Sequence, residues 1–228
     1  MLPGLYLVGT PIGNLEDMTF RGVRTLKECQ AILAEDTRRT GLLLQKYGIG
    51  TRMISCHKFN EQSRLGEIVG RIRGGEAVAL VSDAGMPGIS DPGARMASAV
   101  RAAGLLVTAV PGATAATTAI ALCGAWQTPQ YHFEGFLDHK TAARRRRLHE
   151  LDALGVPVVL YESTHRILKL LDEVEEELGG ERRLFVGREL TKKFEETVEG
   201  TPGELREHYR ERSHKGEFVV ILLPTMSK

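Results

Sequence analysis

Short apolar segments alternate with segments of helical periodicity through the first half of the chain. Leu5–Val8, Ala31–Ala34 and Ala77–Val81 are short and apolar throughout, as strands buried on both faces of a parallel sheet are. In Gln62–Arg73, between two such strands, apolar residues recur three and four apart, which is typical of an amphipathic helix. The alternation predicts an α/β fold with a parallel-rich sheet covered by helices on both faces.

The second half has a less regular pattern, which predicts a mixed α/β domain. A basic helix is predicted at Thr141–Ala153, and a second helix at Ser163–Leu178 with Ser163 as its N-cap. Gly216–Leu223 is predicted to be a central strand. We place the domain boundary after the Pro-Gly turn, so that residues 1–113 form an N-terminal domain and residues 114–228 form a C-terminal domain.

The overall composition is that of a globular protein. Of the 228 residues, 42% are hydrophobic and 26% are charged. Thirty Lys and Arg against 29 Asp and Glu leave a net charge of +1, so any surface for a polyanion must be local. The three cysteines are far apart without a CxxC pair, which disfavours disulfides and structural zinc and fits a reducing cytosol.

One segment has the composition of a membrane span. Ala102–Phe133 contains no Asp, Glu, Lys or Arg, but Pro111-Gly112 interrupts it. A spanning helix needs about 20 uninterrupted, mainly apolar residues. We therefore predict a buried strand at Leu105–Val110 and a buried helix at Ala113–Cys123, without a membrane span. The N-terminus lacks the basic segment of a signal peptide, so we expect no targeting segment there.

Glycine-rich loops follow several predicted strands, at the strand ends where open α/β sheets bind ligands. Glycine allows a ligand to approach the main chain closely, although each loop taken singly is equally well explained as a turn. The chain has neither GxGxxG nor GxxxxGK[ST], and no HExxH, so we expect no dinucleotide fingerprint, P-loop or metal site. The loops are Gly9–Asn14, Ser82–Gly88, Ser90–Gly93 and Val110–Thr114.

A basic helix and several aromatic residues offer possible contacts with nucleic acid. Lys140 and Arg144–Arg147 give this helix a local positive charge, which a solvated helix face would also explain. Four consecutive arginines point around most of a helix, however, so we predict that some contact phosphate. Phe59, Tyr131, Phe133 and Phe136 have rings suited to base stacking, but core positions are favoured for them, and Trp126 is expected to pack between the domains.

Several motifs together resemble the ribosomal RNA small subunit methyltransferase I family, within the tetrapyrrole methylase superfamily. The resemblance covers Leu5 to about Leu223. The motifs are Thr10-Pro11-Ile12-Gly13-Asn14-Leu15, Ala34-Glu35-Asp36-Thr37-Arg38, Ser82-Asp83-Ala84-Gly85-x-Pro87 with Asp91-Pro92-Gly93, Pro111-Gly112, Glu134-Gly135-Phe136-Leu137, Tyr161-Glu162-Ser163-x-His165-Arg166 and Arg188-Glu189-Leu190-Thr191-Lys192.

The resemblance implies a class III, two-domain α/β methyltransferase that uses S-adenosyl-L-methionine. It implies methylation of the ribose 2′-oxygen of a cytidine in the decoding region of 16S rRNA, by a cytoplasmic homodimer acting on the assembled small (30S) subunit. The resemblance also implies that the C-terminal domain completes the cofactor cleft. The implied cofactor residues are Pro11, Gly13, Asn14, Ser82, Asp83, Ala84, Gly85, Met86, Pro87, Pro111, Gly112, Ala113 and Thr114.

A ribose hydroxyl is a weak acid, so a general base or a cation beside the developing alkoxide would assist the reaction. Candidate bases are Asp36, Glu162 and Glu189, and candidate cations are Arg38, Lys58, Arg166 and Lys192. We favour Glu189 or Asp36 as the base, with Arg166 and Lys192 on the phosphate backbone. The remaining predicted substrate contacts are Arg38, Lys58, Lys140, Arg144, Arg145, Arg146 and Arg147.

The chain departs from the family pattern at three positions. Met86, Asp138 and Thr164 stand where the family usually or often has Thr, Pro and Pro. The Met86 substitution removes a hydroxyl and with it one hydrogen bond, worth roughly 0.5–1.5 kcal/mol. Two alternatives stay open: a methyltransferase acting on a porphyrinoid or other small molecule, and a non-catalytic ribosome-binding factor that has kept the fold.

Overall fold

The computed structural model describes residues 1–124, 129–211 and 215–225. The chain divides into two compact units: unit 1, Met1–Thr114, and unit 2, Ala115–Lys228. The predicted boundary follows residue 113. Trp126, expected to pack between the domains, lies outside the described residues.

Unit 1 is built on a parallel sheet. Within the described residues its strand order is β3-β2-β4-β1-β5, and each neighbouring pair is parallel. The carboxyl ends of these strands therefore lie along one edge of the sheet. The strands are β1 (Gly4–Val8), β2 (Ala31–Ala34), β3 (Met53–Ser55), β4 (Ala77–Val81) and β5 (Val107–Val110).

Helices cover both faces of this sheet, as the sequence predicts. They are α1 (Phe20–Glu28), α2 (Thr37–Lys46), α3 (Glu61–Arg73) and α4 (Ala94–Ala102). Successive strand residues alternate between the faces, so Leu33 packs with α3 and α4 whereas Ile32 packs with α1 and α2. Each fully buried side chain of this kind contributes about 1.5–3 kcal/mol to folding.

Unit 2 is built on a mixed sheet of order β6-β7-β10-β8-β9 within the described residues. Strand β7 is parallel to β6 and antiparallel to β10, and β10 is antiparallel to β8. Strands β6, β7 and β8 therefore run in one direction and end at the same edge. The elements are α5 (Ala115–Cys123), β6 (His132–Phe136), α6 (Thr141–Asp152), β7 (Val158–Ser163), α7 (Ile167–Leu178), β8 (Leu184–Arg188), β9 (Glu196–Gly200), α8 (Pro202–Glu211) and β10 (Glu217–Leu222).

The central position of β10 confirms the prediction for the last apolar segment, because β10 pairs with strands on both sides. Helices α6, α7 and α8 supply a single apolar core against this sheet, with Leu148, Leu170 and Tyr209 fully buried. Helix α5 packs against β7, β8 and β10.

Three local predictions are wrong, each for a physical reason. Ser163 does not cap α7, because it pairs with Glu217 as the last residue of β7, and the helix begins at Ile167. Strand β5 is half-exposed, since it lies at the end of the sheet order and, among the described residues, pairs with β1 alone. Helix α5 buries Ala116 and Ala119 but leaves Leu122 about half exposed. Across the described ranges, no helix is long and apolar enough to cross a membrane.

Candidate functional site

Three loops of unit 1 are joined through their main chains at the carboxyl edge of the sheet. They follow β4, β1 and β5, which are neighbouring strands. Thr10 and Gly85 exchange two hydrogen bonds, with N···O distances of 2.9 and 3.1 Å, and the Gly9 N–H donates to the Val110 carbonyl at 3.0 Å. The buried Thr10 hydroxyl also donates to the Ser82 carbonyl at 3.2 Å. The predicted cofactor loops therefore form one structure.

Two glycines allow these loops to approach each other. A Cβ atom added to Gly9 would lie 2.7 Å from both N and Cα of Gly112, and one added to Gly112 would lie 2.9 Å from the main chain of Gly9. The Met86 sulfur lies 2.7 Å from the same Gly9 Cβ position, so this departure from the family pattern fills space beside the contact. Gly85 has a φ of +78°, which side chains rarely adopt.

The other predicted cofactor residues range from buried to exposed, and Ala84, Ala113 and Thr114 are half-buried. Pro11 and Pro87 are buried beneath the loops, whereas Gly13, Asn14 and Pro111 are exposed. The Asn14 carboxamide accepts a hydrogen bond from the Glu16 N–H at 3.0 Å, which caps a short 3-10 helix. These loops are rich in glycine and proline and carry little side-chain charge, so a ligand can reach their main-chain groups. Such loops are suited to hold the nucleoside and amino-acid parts of S-adenosylmethionine. The residues present fit that group.

An acidic cluster, defined as Glu35, Asp83 and Asp91, lies beside these loops at the ends of β2 and β4. Burial raises the pKa of Asp91 to about 6, and the negative charges of Glu35 and Asp83 add to that effect. Burial and the Asp83 charge also raise the pKa of Glu35. Glu35 and Asp91 are absent from the predicted site residues. The position of all three carboxylates after neighbouring parallel strands is the signal that would have revealed them.

Asp36, a predicted base, caps a helix with its carboxylate. Its carboxylate accepts from the Arg38 N–H at 2.9 Å at the start of α2, and it also binds the Arg38 guanidinium at 2.8 Å. The Arg38 hydrogen bonds hold the pKa of Asp36 well below its usual value. A carboxylate with a lowered pKa is a weak proton acceptor, so this geometry argues against Asp36 as a general base.

The predicted catalytic residues of unit 2 lie at one sheet edge, because β6, β7 and β8 all end there. Glu189 has a φ of 51° and accepts from the Lys192 ammonium and the Glu217 N–H, both at 2.9 Å. Burial alone would raise the pKa of Glu189, but these two hydrogen bonds bring it below its ordinary value. Lys192 also pairs with the Glu217 carboxylate at 2.9 Å. Both residues are thus engaged with each other.

A buried ion-pair network, defined as Arg144, Glu162, Glu173 and Arg166, supports the same edge. The Arg144 side chain is 1% exposed and donates to Glu173 at 2.7 Å and to Glu162 at 3.4 Å. The second Glu162 oxygen lies 3.4 Å from the Arg166 guanidinium, which donates to the Leu137 carbonyl at 2.8 Å. Arg144 therefore lacks the surface needed to contact phosphate, and Arg166 ties the loop after β6 to the loop after β7.

The remaining predicted substrate cations differ in how far they are engaged. Arg145 pairs with Glu176 and Glu177, and Arg147 with Glu134 and Glu150. Arg146 is 78% exposed, and its ion pair with Glu150 is long, with 3.5 Å between the two atoms. Arg38, Lys58 and Lys140 are also exposed.

Among the aromatic residues with possible RNA contacts, Phe133 packs edge-on against Tyr161, as a core residue would, with ring centroids 5.1 Å apart. Phe59 is 84% exposed, Phe136 55% and Tyr131 42%, so the prediction that these three belong to the core is wrong. The exposure of Phe59 follows from the turn that begins after β3.

Over the ranges that the structure describes, no group of three or more His, Cys, Asp or Glu residues is arranged to hold a metal ion. Two of the three cysteines are buried, and burial raises the pKa of Cys29 and Cys56 to about 11, so neither is a reactive thiolate at neutral pH.

Comparison with known proteins gives a family match over most of the chain. Residues 4–206 match the family of tetrapyrrole (corrin/porphyrin) methylases. Two solved structures share the fold, each with a TM-score of 0.68. They are a uroporphyrin-III-C-methyltransferase from Thermus thermophilus, 19% identical and covering 97% of this chain and 94% of that one, and a cobalt precorrin-4 methyltransferase, 18% identical and covering 95% and 93%.

Relatives of higher identity carry a different name. A ribosomal RNA small subunit methyltransferase I from Synechocystis sp. is 44% identical over 96% of this chain and 78% of its own length. The protein of that name from Halalkalibacterium halodurans is 44% identical over 96% and 75%, and that from Borrelia garinii subsp. bavariensis is 40% identical over 96% and 97%. The chain is therefore an α/β methyltransferase of the class III fold whose methyl donor is S-adenosylmethionine, and it belongs to the tetrapyrrole methylase family and, within it, to the ribosomal RNA small subunit methyltransferase I family.

Proposed function

We propose that this chain transfers a methyl group from S-adenosylmethionine to 16S rRNA, at the ribose 2′-oxygen of one cytidine in the decoding region. The proposal includes action on the assembled small subunit and assembly as a homodimer in the cytoplasm. The observation that carries it is identity of 40–44% over 96% of the chain to relatives whose name specifies small-subunit ribosomal RNA. The site and nucleotide are the finer part of the proposal, drawn from the motif resemblance.

The joined loops of unit 1 supply binding and orientation. S-adenosylmethionine brings an already activated methyl group on a sulfonium, so positioning accounts for much of the rate enhancement such an enzyme needs. The residues that would hold it are the main chains of the loops after β1, β4 and β5, fixed together by the Thr10–Gly85 bridge and the Gly9–Gly112 contact. Such rigid main chain holds a ligand without reorganising side chains.

The proton of the ribose hydroxyl needs an acceptor, and we place this role on Asp91. Its pKa of about 6 makes it a stronger base than Asp36 or Glu189, whose pKa values are lowered by paired cations. Asp91 also belongs to the acidic cluster, which lies beside the cofactor loops. The carboxylate would take the hydroxyl proton as the methyl carbon bonds to the ribose oxygen and its bond to sulfur breaks, which leaves S-adenosylhomocysteine.

Contacts with the RNA backbone fall to the exposed cations. Lys58 and Lys140 are exposed, and so are Arg38 and Arg146, which pair with Asp36 and Glu150 and would exchange these partners for phosphate. Counterion release on binding phosphate gives such contacts their affinity. Arg144 is removed from this group because it is buried. Arg166 and Lys192 are predicted to lie on the phosphate backbone, and we now propose that they also hold the sheet edge of unit 2 through their contacts with Leu137, Glu189 and Glu217.

The experiment that tests the function is methyl mapping of 16S rRNA from cells with and without the gene. Loss of one ribose methyl at one decoding-site cytidine is the expected result. Purified chain should restore it on small subunits from the deletion strain when given S-adenosylmethionine with a labelled methyl group. Label transferred to a porphyrinoid and not to RNA would favour the small-molecule alternative. Absence of cofactor binding in calorimetry would favour a non-catalytic ribosome-binding factor.

A further inference from the structure

Of the four exposed phenylalanine rings, two have the preceding lysine over one face, one ring in each unit. Phe59 is 84% exposed, with the Lys58 ammonium 4.9 Å from its ring centroid. Phe194 is 64% exposed, with the Lys193 ammonium 5.4 Å from its centroid. We call these two pairs the Lys-Phe platforms. A cation near a ring face is attracted by the ring quadrupole, so each pair forms a positively charged aromatic surface.

The turn that carries Phe59 is held by its own hydrogen bonds. The Asn60 carboxamide accepts from the His57 N–H at 2.7 Å and donates to the Ser55 carbonyl at 3.3 Å. The Phe59 N–H donates to His57 Nδ1 at 3.3 Å. The His57 ring meets the Phe59 ring edge-on, with centroids 6.1 Å apart. The outward direction of the ring is therefore fixed by the turn, and the ring keeps one face available.

The loop that carries Phe194 has an unusual backbone. Glu189 and Thr191 have φ values of 51° and 66°, a conformation that residues other than glycine rarely adopt. Leu190 between them is buried against Gly187 and anchors the loop. The Glu195 N–H then donates to the Lys192 carbonyl at 3.0 Å, which closes a turn with Phe194 on its outside. Strained backbone of this kind is concentrated at functional sites.

Each platform follows the carboxyl end of a strand, at the sheet edge that carries the predicted functional loops of its own unit. In unit 1, β3 is two strands from β4, so its carboxyl end is about 10 Å along the edge from the cofactor loops. In unit 2, the platform follows β8, at the edge where the loops after β6 and β7 also lie.

We propose that the two Lys-Phe platforms bind unpaired nucleobases of the RNA substrate, with the phenyl ring stacked on a base and the ammonium close to the neighbouring phosphate. Proteins recognise single-stranded RNA through aromatic stacking combined with backbone charge, and stacking tolerates any base. A protein partner is the weaker explanation, because lysine is depleted from the apolar centres of protein interfaces. The proposal rests on the proposed function, since it requires that the substrate is RNA.

The test compares three substitutions at each platform. Phe59→Ala and Phe194→Ala remove the ring, Phe→Leu at each position keeps apolar area without a π face, and Phe→Trp keeps stacking. The controls are Leu106→Ala and Leu154→Ala, which alter exposed apolar residues next to the amino ends of β5 and β7, at the opposite sheet edges. Binding of labelled small subunits from the deletion strain is measured without cofactor, and KM, kcat and cofactor affinity are measured separately.

Each alanine substitution should weaken subunit binding and raise KM for subunits about tenfold, with kcat and S-adenosylmethionine affinity unchanged. Leucine should behave as alanine, tryptophan as wild type, and the two control variants as wild type. Leucine performing as well as tryptophan, a changed sedimentation coefficient in the alanine variants, or unaltered binding would each overturn the platforms. Wild-type chain that neither binds nor methylates the subunits would instead overturn the proposed function, so the two failures are distinguishable.

Discussion

The two units differ in what holds the loops at the carboxyl edge of the sheet. In unit 1, neighbouring loops are joined by main-chain hydrogen bonds and by the contact between Gly9 and Gly112, with few charges directly in the loops. In unit 2, charged side chains make the corresponding contacts. Arg166 joins the loop after β6 to Glu162 at the end of β7, where Arg144 also pairs. Lys192 ties the loop after β8 to Glu217 at the start of β10. Bare main chain favours close approach of a ligand, whereas paired charges fix loop geometry without offering free charge.

The difference teaches that charge in a sequence does not by itself indicate charge on a surface. Unit 2 carries the run of four arginines. The charge of Arg144 is buried and balanced by glutamates, and Arg145 and Arg147 are also paired with glutamates. A buried charge costs several kcal/mol unless it is paired and hydrogen-bonded, so the network is stable only as a complete set. Unit 1 instead depends on the absence of side chains at particular positions.

The comparison is tested most strongly by breaking the charged network of unit 2. Arg144→Ala leaves Glu162 and Glu173 buried without their main partner, so we expect a loss of about 3–5 kcal/mol in the free energy of unfolding. Chemical denaturation of the full chain measures this loss. The matched control is the triple substitution of Arg144→Met, Glu162→Gln and Glu173→Gln, which removes the charges together and should recover most of the stability. A single variant as stable as wild type would show that the network is dispensable.

The main-chain contact of unit 1 is tested with a single methyl group. Gly112→Ala places a Cβ 2.9 Å from the Gly9 main chain, so the loops must separate. We expect a loss of about 1–3 kcal/mol in the free energy of unfolding and at least a tenfold weaker cofactor affinity by calorimetry.

The control for this substitution is Gly66→Ala in α3, where an added Cβ meets nothing within 4 Å. It should raise stability by about 0.5–1 kcal/mol, because alanine is the better helix former, and leave cofactor affinity unchanged. Equal cofactor affinities in both alanine variants would contradict a binding role for the Gly9–Gly112 contact.

The sequence predicts the fold better than it predicts the roles of side chains. Apolar periodicity locates β1, β2, β4 and β10 to within a residue or two, because burial on two faces leaves little choice of composition. The role of Arg144 could not be predicted, since its partners Glu162 and Glu173 are 18 and 29 residues away and meet it only after the helices pack.

Local competition explains the other errors. Ser163 has the residue type of an N-cap, but pairing with β10 holds it in a strand. Asp36 was equally suited to catalysis and to capping, and only the hydrogen bond to the Arg38 N–H distinguishes the two. The raised pKa of Asp91 depends first on its burial, and then on Asp83 in the same loop and Glu35 after the neighbouring strand, so the motif that contains Asp91 does not reveal it alone.

The pH dependence of stability tests the acidic cluster of unit 1. The pKa of Asp91 is raised from 3.8 to about 6, so its stabilising contribution is complete below pH 4 and is lost as pH rises through 6. Asp91→Asn should therefore be about 2 kcal/mol more stable than wild type above pH 6 and equal to it below pH 4, with allowance for partial solvation. Unfolding curves between pH 4 and pH 8 measure the difference.

The same Asp91→Asn variant should lose most of its methyl-transfer rate while retaining cofactor affinity, because the proposed proton acceptor is gone. Asp17→Asn, at an exposed carboxylate, controls for the loss of one charge. A pH profile of stability that matches wild type, or a full transfer rate, would contradict the role proposed for Asp91.

The smallest expected effect separates capping from catalysis at Asp36. Asp36→Ser keeps a hydroxyl oxygen able to accept from the Arg38 N–H, whereas Asp36→Ala removes the cap of α2. We expect a loss of about 1 kcal/mol in the free energy of unfolding for alanine and only a few tenths for serine, with methyl transfer by the serine variant close to wild type. A serine variant that is stable but inactive would restore Asp36 as the base, and would mean that the charged pair with Arg38 opens when substrate binds.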